Sequence, residues 1–421
     1  MASAELQARI RAAEAATQQA GPAGAAQAWR RVLELDPAEP QALFLLGRIA
    51  LDQGRAAEAR DLLGKASRSN PGEPMIWYNL ALACRAAGDV KAEAEALTGA
   101  LTADPYCYPA MLARGEMLER VGQPRRAAQV YRDALKIAPP EDRVFPPLRP
   151  ALARARDSVR RNSEAFAAAL EERFADLRSG RPAGELSRFD ESRDIMLGRT
   201  RPYHQEPTLH HIPRLPAIPF YEREDFPWLA GIEARTGEIA EELKGLLGRR
   251  TEDFSPYVSR PPGAPLDDWA ELNNSLKWGV FFLCDDGKPV QAHRARCPRT
   301  VEALKGAPQP DVPGAGPTAF FSALEPRTHI PPHTGVTNTR LIVHLPLVVP
   351  PGCRFRVGNE VREWRVGEAL VFDDTIEHEV WNDSDEVRVV LIFDIWNPYL
   401  TEVERELSRR LIAGYKAWYE A

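Results

Sequence analysis

Four prolines, Pro37, Pro71, Pro105 and Pro139, stand 34 residues apart, and three further sets of positions keep the same step. Gly54, Gly88 and Gly122 form one set; Gly47, Ala81 and Gly115 form a second; Ala66, Ala100 and Ala134 form a third. A period of this length demands stacked helix pairs, since one unit alone cannot bury its apolar face. Small residues at fixed places inside the helices let the two members of a pair approach. The proline at each boundary stops the second helix.

This pattern is the tetratricopeptide signature. It predicts an α-solenoid over residues 1–140, with three full repeats at about 38–139 and a degenerate one ending near Asp36. Such an array either binds a protein or peptide in its concave groove or serves as a scaffold that positions or dimerises the second domain. Trp77, Tyr78 and Tyr108 are candidates to line that groove, although aromatic residues at these helical positions more often pack.

At 421 residues the chain has room for two or three domains. With 54 basic and 60 acidic residues, the formal net charge is −6, and no basic cluster is interleaved with aromatics, which argues against nucleic acid. The longest apolar runs are strand-sized, and the charged start MASAELQARIRAAEAA lacks the apolar segment of a signal peptide. Cys84, Cys107, Cys284, Cys297 and Cys353 are odd in number and lack metal-ligand spacing, so they read as reduced thiols of a cytoplasmic protein.

Residues 141–205 read as a helical connector. A proline-rich break runs to Pro150, a helix is expected over Ala151–Leu177, and polar loop over 181–205. The arginines at 154, 156, 160 and 161 fit a solvated helix face, and the segment is expected to bridge the array to the next domain. That domain spans residues 206–401, and a C-terminal helix occupies 402–421. A helix is expected at about Leu229–Leu247 and a first strand at Asn273–Leu283. The neighbouring His210 and His211 point apart on any extended segment, so they are taken as structural.

Three β-type runs, Leu341–Val349, Val366–Phe372 and Val387–Trp396, lie among Gly, Pro and Asn turns, which suggests an antiparallel sandwich or jelly roll. The first holds His344, the turn after the second delivers His378, and Arg388 starts the third. Two isolated histidines in apolar strands are more often core residues than ligands.

The wider pattern is more specific. P-H-T-G-V-T-N-T-R-L-I-V-H-L, then F-D-D-T-I-E-H-E-V-W, then R-V-V-L-I-F-D-I-W resembles the aspartyl/asparaginyl β-hydroxylase family over about residues 206–400. The resemblance implies a double-stranded β-helix (jelly-roll) oxygenase domain with flanking helices. It also implies use of Fe(II), 2-oxoglutarate as cosubstrate and dioxygen. By that resemblance His333 and His378 bind the metal, and water fills the position where most such oxygenases place a carboxylate, here Gly335. Arg388 and Ser322 match the residues that hold the distal carboxylate of the cosubstrate. His344 matches the one that meets the carboxylate beside the keto group, and Trp278 the aromatic near the cosubstrate. Asp373 and Asp374 are expected to form the turn and to orient the His378 imidazole. Arg340 shares a strand face with His344, with an ion pair as its plain alternative.

One departure stands out. Where the family's peptide hydroxylases have an arginine two residues before the strand histidine, this chain has Ile342. The resemblance therefore implies hydroxylation of an unactivated carbon, read as the β-carbon of an Asp- or Asn-like residue in a protein recruited by the repeats. A small-molecule or lipid hydroxylase, and a non-catalytic tetratricopeptide adaptor, are the alternatives. Neither nucleic acid nor a membrane span is expected.

Overall fold

The 34-residue periodicity becomes four helical hairpins: α1 (Ala2–Gln19) with α2 (Gly21–Leu35), α3 (Pro40–Asp52) with α4 (Ala56–Ser69), α5 (Pro74–Ala86) with α6 (Val90–Ala103), and α7 (Tyr108–Arg120) with α8 (Pro124–Ile137). The second helix of each pair ends two residues before its proline, where the fixed φ and missing N–H would break the ladder. Gly54, Gly88 and Gly122 turn the chain between paired helices at φ +74°, +73° and +74°, a conformation costly for any residue with a Cβ. Gly47 and Gly115 mark the closest approach. A Cβ at Gly47 would stand 2.6 Å from Leu63 Cγ, and one at Gly115 would overlap the Tyr131 ring. Trp77, Tyr78 and Tyr108 pack against the array's core, and Trp77 Nε1 donates to the Pro71 carbonyl at 2.9 Å.

The computed structural model describes residues 2–312 and 314–420, and the chain divides into two units, Met1–Leu186 and Ser187–Ala421. Helix α9 (Arg149–Arg178) buries Leu152 and Ala155 in the core shared with α7 and α8, so its first half continues the array. Residues 181–205, expected to be loop, contain α10 (Ala183–Met196) instead. This stretch has helix-forming residues and an Arg193–Asp190 pair one turn apart, but no apolar stripe from which a helix could be read.

The second unit is β-rich, and its pairings are antiparallel. Its strands are β1 (Phe220–Tyr221), β2 (Ser255–Pro256), β3 (Trp278–Asp285), β4 (Lys288–Pro289), β5 (Ala319–Leu324) and β6 (Thr328–His333). They continue with β7 (Arg340–Val348), β8 (Cys353–Val357), β9 (Glu360–Arg362), β10 (Leu370–Phe372), β11 (His378–Asn382) and β12 (Arg388–Trp396). One sheet runs β1-β10-β7-β12-β5-β3-β2 with β4 on β3, and the other runs β6-β11-β8-β9. Both sheets are open, and the domain is built of two antiparallel sheets, as a sandwich or jelly roll would be, with neither sheet closed on itself. The expected strand at Asn273 begins only at Trp278. The run from Val366 is strand only over Leu370–Phe372, because Gly367 turns the chain at φ +83°. The helix expected over Leu229–Leu247 is two, Leu229–Glu233 and Thr236–Leu247.

Strand alternation divides the larger sheet's side chains between two cores. Phe321, Leu341, Val343, Leu345, Leu391 and Phe393 face a core that includes Ile239 and Leu243 from the flanking helices. The opposite parity, with Trp278, Phe320, Leu324, Val390 and Ile392, packs with Ile330, Phe355 and Val380 of the smaller sheet. Because both faces are covered, β12 is buried along its whole length and reads as continuous apolar sequence. The same parity that carries Trp278 and Val390 inward also carries Ser322, His344 and Arg388.

In the array, Gly115→Ala should destabilise by about 1–3 kcal/mol through overpacking against Tyr131. Gly64→Ala, whose Cβ would have Arg68 NH1 at 3.7 Å as its nearest neighbour, should stabilise by about 0.5–1 kcal/mol. Urea unfolding followed by far-ultraviolet circular dichroism checks both signs, and the reverse order would contradict the assigned packing.

Candidate active site

His333 closes β6, His378 opens β11, and the two residues stand opposite one another in the antiparallel register. Their ring centroids are 4.0 Å apart, with the planes inclined at 51°. His333 Nδ1 lies 2.8 Å from the Pro331 carbonyl oxygen, and His378 Nδ1 lies 3.1 Å from that of Ile376. A carbonyl oxygen can only accept, so Nδ1 carries the proton in each ring and donates it. Each Nε2 is left with its lone pair. Burial pushes both imidazoles below their ordinary pKa, His378 far below, helped by the neighbouring His333. Two neutral, backbone-tethered imidazoles on facing strand residues can bind a divalent transition metal. Among the described residues no group of three or more His, Cys, Asp or Glu side chains is placed to hold a metal ion.

Of the two parts expected of the turn carboxylates, Asp373 takes the turn-forming one and neither takes the orienting one. The carbonyl of Ile376, not Asp373 or Asp374, orients the His378 ring. Asp373 accepts from the Thr375 amide and hydroxyl and from Gln205 Nε2, which makes it the turn former. Asp374 lines the same cavity as the histidines, and its Oδ1 has no hydrogen-bond partner. A Cβ on Gly335 would run into the Asp374 carboxylate. The space a side chain at 335 would enter is therefore already filled from the neighbouring turn. Burial, opposed by Arg340 and reinforced by Asp373 and Asp394, raises the Asp374 carboxyl to about 7.

The histidines open into a cavity of about 200 Å³ whose walls also include Trp278, Ser322, His344 and Arg388. All six site residues expected from the sequence thus border one space. Arg388 is 1% exposed, and its Nε and NH1 have no hydrogen-bond partner. Its guanidinium carbon sits 4.3 Å from the Trp364 ring centroid, and Trp364 in turn stacks on Phe355 at 5.3 Å. Burial lowers the Arg388 pKa to about 10, which leaves it charged at neutral pH. Ser322 accepts from Trp278 Nε1 at 3.0 Å and keeps its own proton available to a ligand. His344 stacks 5.2 Å from Phe355, its Nδ1 is unpaired, and burial together with Arg388 holds it neutral. A buried cation without a counter-charge is costly, and an anion entering this cavity would relieve that cost.

Arg340, Ile342 and His344 share the cavity-facing side of β7, as their two-residue spacing predicts. Arg340 pairs with Asp394 at 3.0 Å, so the plain alternative for this residue is realised. Asp394 is fully buried, and its carboxyl is raised to about 6 by that burial. Asp394 was not among the residues named from the sequence, although a lone aspartate inside V-V-L-I-F-D-I-W was a signal that could have found it. Tyr257 was not legible: it stacks on Trp278 at 4.1 Å from the loop position just after the two-residue strand β2, which has no pattern of its own. His210 and His211 lie outside the cavity lining, and His210 forms an isolated parallel bridge with Thr337.

The aspartyl/asparaginyl β-hydroxylase family profile matches residues 233–398, and the tetratricopeptide profile matches residues 10–74 and 50–107. The human aspartyl/asparaginyl β-hydroxylase is 33% identical over 180 residues, 42% of this chain and 24% of that protein. An ornithine lipid ester-linked acyl 2-hydroxylase from Rhizobium tropici is 37% identical over 188 residues, 43% of this chain and 61% of that protein. The human aspartate β-hydroxylase domain-containing protein 2 is 29% identical over 212 residues, 49% and 55% of the two chains. The chain thus spans between 24% and 61% of the length of these relatives.

Because the folded-state pKa of Asp374 lies above its unfolded value, the native state loses stability as pH rises from about 4 through about 7. Asp374→Asn should therefore raise the unfolding midpoint of the metal-free protein at pH ~8, by more than about 1 kcal/mol, with the gain fading toward pH ~4. Thermal melts at both pH values check this; a gain that grew on acidification would contradict it.

Proposed function

Since the chain carries an aspartyl/asparaginyl β-hydroxylase domain behind tetratricopeptide repeats, we propose that it is an iron(II)- and 2-oxoglutarate-dependent dioxygenase on a double-stranded β-helix. It hydroxylates an unactivated carbon. The observation that carries the reading is one cavity holding two Nδ1-tethered imidazoles and a buried guanidinium without a counter-charge. These residues fit both groups. His333 and His378 would hold iron through Nε2. Arg388 and Ser322 would hold the distal carboxylate of 2-oxoglutarate, since a planar guanidinium matches a carboxylate with two parallel hydrogen bonds. His344 would donate to the carboxylate beside the keto group, and Trp278 would fix the Ser322 hydroxyl. With dioxygen these groups supply the oxidation: one oxygen atom goes to the substrate carbon, the other into succinate, and carbon dioxide leaves. The buried walls exclude water from the cosubstrate end.

The substrate side of the cavity is apolar. Ile342 and Val336 border it, and the charge of Arg340 is taken up by Asp394. An aspartate carboxylate placed beside Ile342 would lose hydration without gaining a partner, at a cost of several kcal/mol. The site therefore favours an aliphatic carbon, as in the lipid acyl chain named for the Rhizobium relative. The repeat array supports a second reading, in which an Asp- or Asn-like residue of a protein held in the solenoid groove is hydroxylated. No described helix is long and apolar enough to cross a membrane. The five free, buried cysteines suit a reducing compartment, and we place the protein in the cytoplasm.

Arg388→Ala should raise the apparent KM for 2-oxoglutarate by the equivalent of about 2–5 kcal/mol while metal binding persists. An unchanged KM in a succinate assay would remove the assignment. Asp-containing cysteine-rich peptides should be turned over little or not at all, although succinate formation without a prime substrate remains measurable. Efficient hydroxylation of such a peptide, read by mass spectrometry, would show that Ile342 does not exclude it.

A further inference from the structure

Beside the histidine cavity lies a second one of about 150 Å³, walled by Leu209, Pro310, Val312, Ala315 and Ile412. The two cavities share Val336 and Arg340. Val336 is 41% exposed, so its side chain forms a lip between them at the surface. The side-chain polar groups of the second cavity are mostly engaged within the protein. The Thr337 and Thr339 hydroxyls are bonded at 2.9 Å. Arg340 reaches Asp394 at 3.0 Å and donates to the Ala315 carbonyl at 3.3 Å. Lys416 pairs with Asp286 at 3.3 Å. Ile412 and Lys416 come from one side of the C-terminal helix, Glu402–Glu420, one turn apart. Of these groups the Arg340 Nε alone is buried without a partner, and apart from it the chamber presents alkyl surface to whatever enters. Well-packed interiors seldom leave such a space unfilled.

We propose that this chamber is the subsite for a linear aliphatic chain of the substrate, which lies across Val336 so that its oxidisable carbon reaches the histidine pair past Ile342. A peptide backbone would bring a series of N–H and C=O groups, of which the walls could satisfy one carbonyl at the Arg340 Nε and leave the rest unpaired. A charged headgroup would meet only the Lys416–Asp286 pair at the rim. An alkyl chain needs neither. The inference deepens the oxygenase reading and rests on it in one respect, that the carbon delivered is the one oxidised: its C–H bond and dioxygen become C–OH and one succinate oxygen as 2-oxoglutarate loses carbon dioxide.

Isothermal titration of the full-length, metal-free protein with N-hexanoyl-, N-decanoyl- and N-tetradecanoylglycine tests the chamber without relying on turnover. Affinity should rise with chain length, by about fourfold for each methylene buried, until the chamber is filled. Ile412→Trp and Leu209→Trp, which fill it from two different segments, should each weaken the tetradecanoyl compound by about tenfold or more. Circular dichroism melts identify a variant that has failed to fold, and the other then decides. Affinity independent of chain length, or long-chain binding that a folded tryptophan variant leaves intact, would overturn the proposal. If chain-length-dependent binding is seen but the wild-type protein forms no succinate, the oxygenase reading fails and the chamber assignment stands.

Discussion

The antiparallel register that sets His333 opposite His378 is the constraint on which the site depends. Side chains alternate along a strand, so a slip of one residue in β6 or β11 would send one imidazole to the outer face. The carbonyls of Pro331 and Ile376, each two residues before its histidine, then fix which nitrogen bears the proton. Register and tautomer are thus set by local backbone, before any ligand arrives. In the larger sheet, β5, β7 and β12 keep matching parity, so Ser322, His344 and Arg388 meet on the face packed against the smaller sheet. Arg388 is buried at a cost, offset in part because the Trp364–Phe355 stack holds its guanidinium; the proposed anionic cosubstrate would relieve the rest.

Glycine at 335 fits this frame for a reason visible only in three dimensions. The neighbouring turn brings the Asp374 carboxylate into the space a side chain would need. Asp373 and Asp374, adjacent in sequence, have separate tasks. One closes the turn through Thr375 and Gln205, and the other faces the cavity with an unpaired oxygen. In the proposed reading, substrate discrimination would rest on one face of β7: Ile342 is apolar, and Arg340, two residues away, has its charge matched by Asp394. Within the cavity, polar groups gather around His333, His378, Ser322, His344 and Arg388, while Ile342 and Val336 supply apolar wall.

Much of this was legible in the sequence, and the failures have physical causes. The solenoid could be read because its constraints repeat: the same glycine and alanine positions must be small in every hairpin. The long strands β7 and β12 could be read because both their faces are buried. The six candidate site residues were named through motif resemblance, since two histidines in apolar strands do not by themselves distinguish a ligand from a core residue. Helix α10 was missed because nothing in its sequence marks a buried face. The run from Val366 was read as strand because its β-branched residues outweighed Gly367, whose positive φ makes it a turn. Tyr257 comes from a loop whose position is set by packing against Trp278 and not by local sequence.

Pulsed electron paramagnetic resonance of the Mn(II)-loaded protein with 2-oxoglutarate tests the central claim most directly, because it reports which atoms bind the metal. The account predicts two directly bound imidazole nitrogens, one of them lost in His333→Ala and the other in His378→Ala, with no carboxylate of the protein among the ligands. Fewer than two bound nitrogens, or direct coordination by Asp374, would contradict it.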